Sequence, residues 1–167
     1  LTILIAACSQ NPITGRKQLT LLPEDQMNSM ALTEYQSFLT ENKTKVVATG
    51  TNVELVKKVG TRIATAVNAY MTQIGLAEKM KSYSWEFNVV EDPIANAWCM
   101  PGGKVVVYTG LLPITQTEAG LAVVMGHEIS HAIASHGNER MSASMMQELG
   151  MTALDLALAN KKEQTRS

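Results

Sequence analysis

Gly126-His127-Glu128-Ile129-Ser130-His131-Ala132 is the stretch from which the rest of the chain can be read. It lies in a segment, residues 115–136, that is small and apolar on nearly every side, which predicts a helix held inside the protein. Thr115, with Glu118 three residues later, offers a capping box at its start. Gly120 and Gly126 within it each cost about 1 kcal/mol relative to alanine, so close packing or the approach of another group is expected at both. All three histidines of the chain, His127, His131 and His136, fall near its end.

His127 and His131 are four residues apart, which on a helix offsets them by about 40° and one turn, close enough to share one ion. Imidazole nitrogen suits zinc at about 2.0–2.1 Å, and a catalytic zinc site takes three protein ligands and leaves a fourth position open. Cobalt or manganese can occupy the same geometry. Glu128 is then the general base: it takes a proton from the water that such an ion activates and returns it to the leaving amine of a cleaved peptide. Without the ion, an ionised Glu128 in so apolar a helix would be costly to bury. The residues therefore predict a zinc-dependent peptidase. Two hydrogen-bonded core histidines, or a metal site without catalysis, are the alternatives.

A third ligand is not plain. The metzincin spacing requires glycine three residues after the second ligand and histidine six after, where this chain has Ala134 and Gly137. His136 reads instead as a helix C-terminal residue facing free carbonyls. Glu139, beside a turn, and Glu148, on a helix whose apolar face needs no metal, stay open as ligands.

Nearer the N-terminus, Pro23-Glu24-Asp25 opens a helix with Met27, Ala31, Tyr35 and Phe38 on one face. Thr51-Asn52-Val53-Glu54 fits a capping box before a long helical stripe through Val53, Val56, Gly60, Ile63, Val67, Tyr70 and Ile74. From Ser84 the period changes to that of strands: Trp85, Phe87 and Val89 alternate, Asn96 to Met100 follows, and Pro101-Gly102-Gly103 turns into Lys104-Val105-Val106-Val107-Tyr108-Thr109. After Gly137 a helix with Met141, Met145, Leu149, Leu154 and Leu158 on its apolar side runs to Asn160. This order of elements predicts one α+β domain with a small, mostly antiparallel sheet.

The 167 residues, 46% hydrophobic and 17% charged, are those of an ordinary globular chain. A net charge of −1 with scattered Lys and Arg gives no basic stripe, so nucleic acid is not an expected partner. Ten methionines against two phenylalanines point to adaptable core packing. Two cysteines rule out a disulfide scaffold. Residues 1–8 read as the tail of a secretory signal, too short to span a bilayer. There Ile5-Ala6-Ala7-Cys8 resembles a bacterial lipobox, which implies a lipid on Cys8 and a membrane tether. A buried N-terminal strand is the alternative. Residues 9–22, with Pro12 and Gly15, read as a tether, and 23–167 as the domain proper.

The run from Asn96-Ala97-Trp98-Cys99-Met100-Pro101-Gly102-Gly103 through Lys104-Val105-Val106-Val107-Tyr108-Thr109-Gly110-Leu111-Leu112, the stretch Gly126 to Ala132, and His136-Gly137-Asn138-Glu139-Arg140 together resemble the M48 family of metallopeptidases. Within it the likeness is to bacterial lipoprotein members and the related mitochondrial inner-membrane protease. Asn11 to Leu19 is similar to the start of mature bacterial members. The resemblance implies a zincin-like fold of the gluzincin type, one zinc ion on His127 and His131, Glu128 as base, and a third ligand from a glutamate in a Glu-x-x-x-Asp motif of a later helix. No such motif stands between His131 and Ser167, so the chain is expected to stop before that ligand.

By the same resemblance an edge strand near the metal pairs with an extended polypeptide substrate, with Asn96, Ala97, Gly103, Val105 and Val106 as its candidates. A core hairpin buried on both faces is the alternative for the three valines. The implied setting is the periplasmic side of a bacterial envelope, with a role in protein quality control. The competing expectation is an inactive envelope lipoprotein of the same fold that binds protein or metal.

Overall fold

The computed structural model describes residues 8–43 and 45–164, the side chains of 10–43 and 45–152 among them. The apolar run 1–7, read as a signal remnant, lies outside the described residues. The chain divides into two compact units, residues 23–136 and residues 1–22 with 137–167.

The larger unit begins with α1, Glu24–Glu41, whose first turn carries Glu24 and Asp25 at the positive end of the helix dipole. Met27, Ala31 and Tyr35, four apart, form its buried face. A two-residue strand β3, Val46–Val47, follows, β1 and β2 being in the smaller unit. The long helix α2, Thr51–Gln73, starts after Gly50, which holds φ 117° and makes no side-chain cap, so the expected capping box at Thr51 does not form. Its buried line is Val53, Val56, Val59, Gly60, Ala64 and Met71, and Tyr70, expected on that line, is half exposed. A single turn α3, Ala77–Met80, leads to β4, Glu86–Val90, β5, Ala97–Met100, and β6, Lys104–Tyr108. After a 3₁₀ turn come α4, Leu112–Thr115, and α5, Glu118–Ile133.

The sheet order is β3-β4-β6-β5. β5 and β6 form the expected hairpin, but β6 inserts beside β4 and runs parallel to it, so the sheet is mixed, with antiparallel pairs on its two flanks. Strand alternation gives the sheet two apolar faces. On one, Tyr35 of α1 packs with Val90 and Val106 under a shell of Phe38, Trp98 and Tyr108. On the other, Phe87 presses on α2 at Gly60, where a Cβ would overlap its ring. Helices α2 and α5 cover that face and pack on each other.

In the smaller unit, β1, Cys8–Gln10, and β2, Lys17–Leu19, pair antiparallel. The stretch read as a tether is thus a hairpin. Asn11 closes its turn: its Oδ1 accepts from the Ile13 and Thr14 amides at 2.9 and 3.0 Å, and its Nδ2 donates to Gln18 Oε1 at 2.8 Å. Cys8, read as a lipid attachment point, opens β1. Helix α6 spans His136–Gln164, and Asn138 Nδ2 donates to the Leu22 carbonyl at 2.7 Å. Leu154 and Leu158 of its expected apolar stripe lie outside the described side chains. Among the described residues no helix is long and apolar enough to cross a membrane.

Candidate metal centre

The helix that carries the histidines starts two residues later than the capping pattern suggested. Pro113 sets up the turn α4, which breaks at Gln116 in the left-handed region, φ 56°. Thr117 then caps α5, its Oγ1 accepting from the Gly120 amide at 3.0 Å. Gly120 is required there, because a Cβ would run into the Thr115 carbonyl. Gly126 has nothing within 4 Å of a Cβ, so the close approach expected at both glycines occurs only at the first.

Leu121, Met125, Ile129, Ala132 and Ile133 form the buried line of α5. The opposite face is open, against the expectation of a helix enclosed all round: Val123 is 74% exposed, and His127 and Ser130 are exposed. Both ends of the helix are held. Glu118 pairs with Lys58 and, at 3.5 Å, with Arg62 on α2. At the other end Tyr83 Oη donates to the Ala132 carbonyl at 3.1 Å, and Lys79 Nζ donates to Ser135 Oγ at 3.0 Å while pairing with Glu24 at 3.2 Å.

On this fixed helix the His127 and His131 rings converge. Their Nε2 atoms are 3.0 Å apart and their planes are nearly perpendicular, at 85°. A cation bound at about 2.0–2.1 Å by two imidazoles at the tetrahedral angle holds their nitrogens about 3.3–3.4 Å apart, and the pair, at 3.0 Å, lies close to that spacing. Glu128, between them in sequence, is half-buried. Its charge reaches Cys99 of β5: burial first, and then the Glu128 carboxylate, push that thiol up to about 12. In the metal-free chain Cys99 therefore keeps its proton at neutral pH.

His136 lies outside α5. The helix ends at Ile133, Ser135 takes φ 56°, and His136 opens α6 with its Nδ1 2.6 Å from Nδ1 of His131. Glu139, open as a third ligand, is engaged elsewhere: Arg16 donates to both its oxygens, at 2.7 and 2.5 Å. Glu148 is exposed on α6. Among the described residues no three His, Cys, Asp or Glu side chains gather into one ion-binding set.

The candidate substrate residues are divided. Val105 and Val106 are fully buried in β6, which has β4 on one side and β5 on the other, so neither can offer a free strand edge. The edge strand on this side of the sheet is β5, which carries Ala97, directly follows Asn96, and is the strand most closely packed by α5. Gly103 belongs to the turn, at φ 85°, where a Cβ would touch the Trp85 ring. Three successive valines are the pattern of a strand covered on both faces, and that pattern was the available signal. No pattern in the sequence marked Tyr83 and Lys79 as anchors of the histidine helix.

The sequence model of peptidase family M48 matches residues 57–167. The chain is 29% identical over 150 residues to the mitochondrial metalloendopeptidase OMA1 of Schizosaccharomyces pombe, which covers 87% of this chain and 42% of that protein. It is 30% identical over 151 residues to the human metalloendopeptidase OMA1, covering 89% of this chain and 28% of that protein. With the Arabidopsis thaliana mitochondrial metalloendopeptidase OMA1 it shares 46% identity over 66 residues, 40% of this chain and 14% of that protein. The chain thus spans less than half the length of these curated relatives. Their names place them in mitochondria, which overturns the expectation of a bacterial envelope lipoprotein.

Proposed function

The chain belongs to peptidase family M48, and from that membership we propose that it carries the cation-binding and proton-transfer groups of a zinc-dependent endopeptidase acting on polypeptides. The observation that carries the reading is the 3.0 Å approach of two imidazole nitrogens on the exposed face of a helix fixed at both ends.

His127 and His131 would hold the ion, in a zincin-like arrangement of the gluzincin kind. Bound there, zinc supplies Lewis acidity, making water a nucleophile near neutral pH and polarising a carbonyl. Glu128 takes the proton from the attacking water on its carboxylate and delivers it to the departing amine. β5 aligns the substrate: its outer edge has no strand beside it among the described residues, and an extended polypeptide added there runs along α5. Asn96 and Ala97 keep their proposed part in this, and Val105 and Val106 support β5 from within the sheet.

Glu128→Gln tests the reading. Zinc binding should persist while casein cleavage falls by about 10²–10⁴-fold, the range for losing a general base. Unchanged cleavage would remove Glu128 from the chemistry. A non-hydrolytic, metal-binding role is the second reading, supported by the two-histidine set found among the described residues. Under it the wild-type chain binds zinc, cleaves nothing, and is unaffected by the substitution.

A further inference from the structure

His131 has two ring nitrogens and both are engaged. Nε2 faces His127, and Nδ1 lies 2.6 Å from Nδ1 of His136. A continuous helix could not bring the second contact about, because residues five apart on a helix point about 140° away from each other. The chain achieves it by breaking α5 at Ile133 and placing Ser135 at φ 56°, a conformation that a non-glycine residue keeps only where its surroundings hold it. Those surroundings are visible. Lys79, its side chain 14% exposed and itself paired with Glu24, donates to Ser135 Oγ, and Tyr83 donates to the Ala132 carbonyl.

The geometry points to His136 as a positioning residue that fixes the tautomer and ring plane of His131 by accepting a hydrogen bond from it. This rests on the metal-centre reading above. A nitrogen that binds a cation must present its lone pair, so His131 carries its proton on Nδ1 when Nε2 is the ligand. That Nδ1–H donates to His136 Nδ1, and His136 then carries its own proton on Nε2. With Nε2 committed to the cation, this hydrogen bond opposes the ring flip that would turn Nε2 away from His127. Outer partners of this kind orient a ligand and raise its affinity for metal without touching the ion.

The test uses the full chain with His136→Ala and His136→Asn, the amide of Asn placing an acceptor where Nδ1 stands. Zinc affinity, read by competition with a chromophoric chelator, should weaken by about 10–100-fold in H136A and recover in H136N. The visible spectrum of the cobalt-loaded chain should change in H136A and return in H136N. Thermal unfolding of the metal-free proteins should be alike, which separates positioning from a structural loss. Nitrogen-15 NMR of the histidine rings in the metal-free chain, at a pH where imidazole is neutral, reads the tautomer without any ion. His131 should be protonated at Nδ1 in the wild type and mixed in H136A. A wild-type chain with that tautomer but no zinc uptake would sink the metal reading and leave the positioning role standing. Unaltered zinc affinity and tautomer in H136A, or H136N as weak as H136A, would overturn it.

Discussion

Glu86 illustrates how single residues hold the sheet beneath the site. Burial alone would raise its carboxyl, but Tyr35 Oη donates to it at 2.7 Å, Asn88 Nδ2 at 3.0 Å, and Lys104 Nζ lies 3.4 Å away. The outcome is a carboxyl held below the usual glutamate range. Lys104 is itself nearly buried and also donates to the Ser84 carbonyl at 2.7 Å, which ties the start of β6 to the residues before β4. A depressed folded-state pKa means that Glu86 contributes its stabilisation fully above its unfolded value, about 4.3, and loses it as pH falls through the lower folded value. Denaturant unfolding followed down the acid limb should therefore show a shallower loss of stability in Glu86→Gln than in the wild type. An identical acid limb would mean that these contacts do not couple to folding.

At the scale of elements, the glycines separate helices that are packed from faces that are open. Gly60→Ala puts a Cβ into the Phe87 ring where α2 crosses β4, and should cost about 1–3 kcal/mol in denaturant unfolding. Gly126→Ala meets nothing within 4 Å and should stabilise α5 by up to about 1 kcal/mol. Equal effects at the two sites would contradict the packing described. The same contrast explains what could be read in advance. Helices and strands with a strong period, among them 24–41, 51–73 and the three strands from 86 to 108, follow their sequence patterns because burial of one face sets both period and fold. Ends were less legible. Thr115 and Thr117 are equally good caps locally, and the choice falls to Thr117 only because Pro113 and Gln116 give the preceding residues a turn of their own. Likewise Ser135 carries no sign of its left-handed backbone, since the groups that hold it there, Lys79 and Tyr83, are some fifty residues away in sequence. Small apolar residues around α5 suggested enclosure on all sides, yet such residues are common on open faces as well.

The unit spanning 23–136 is layered: α1 on one face of the sheet, α2 and α5 on the other, and β5 at one edge, packed against α5. Within it His127, Glu128 and His131, the proposed ligands and base, and the candidate substrate strand lie on two adjoining elements, and the sequence singled out those three residues because a four-residue spacing is a local property. Which strand is the edge is a property of the whole sheet. β6 follows β5 in the chain but inserts inside it, and no local pattern encodes that choice. The proposed chemistry requires His127 and His131 to hold one cation through Nε2. Zinc-edge X-ray absorption on the zinc-loaded chain measures this most directly. It should find one equivalent of zinc with imidazole nitrogens at about 2.0–2.1 Å, lost in both His127→Ala and His131→Ala. Zinc that fails to bind, or a coordination shell indifferent to both substitutions, would contradict it.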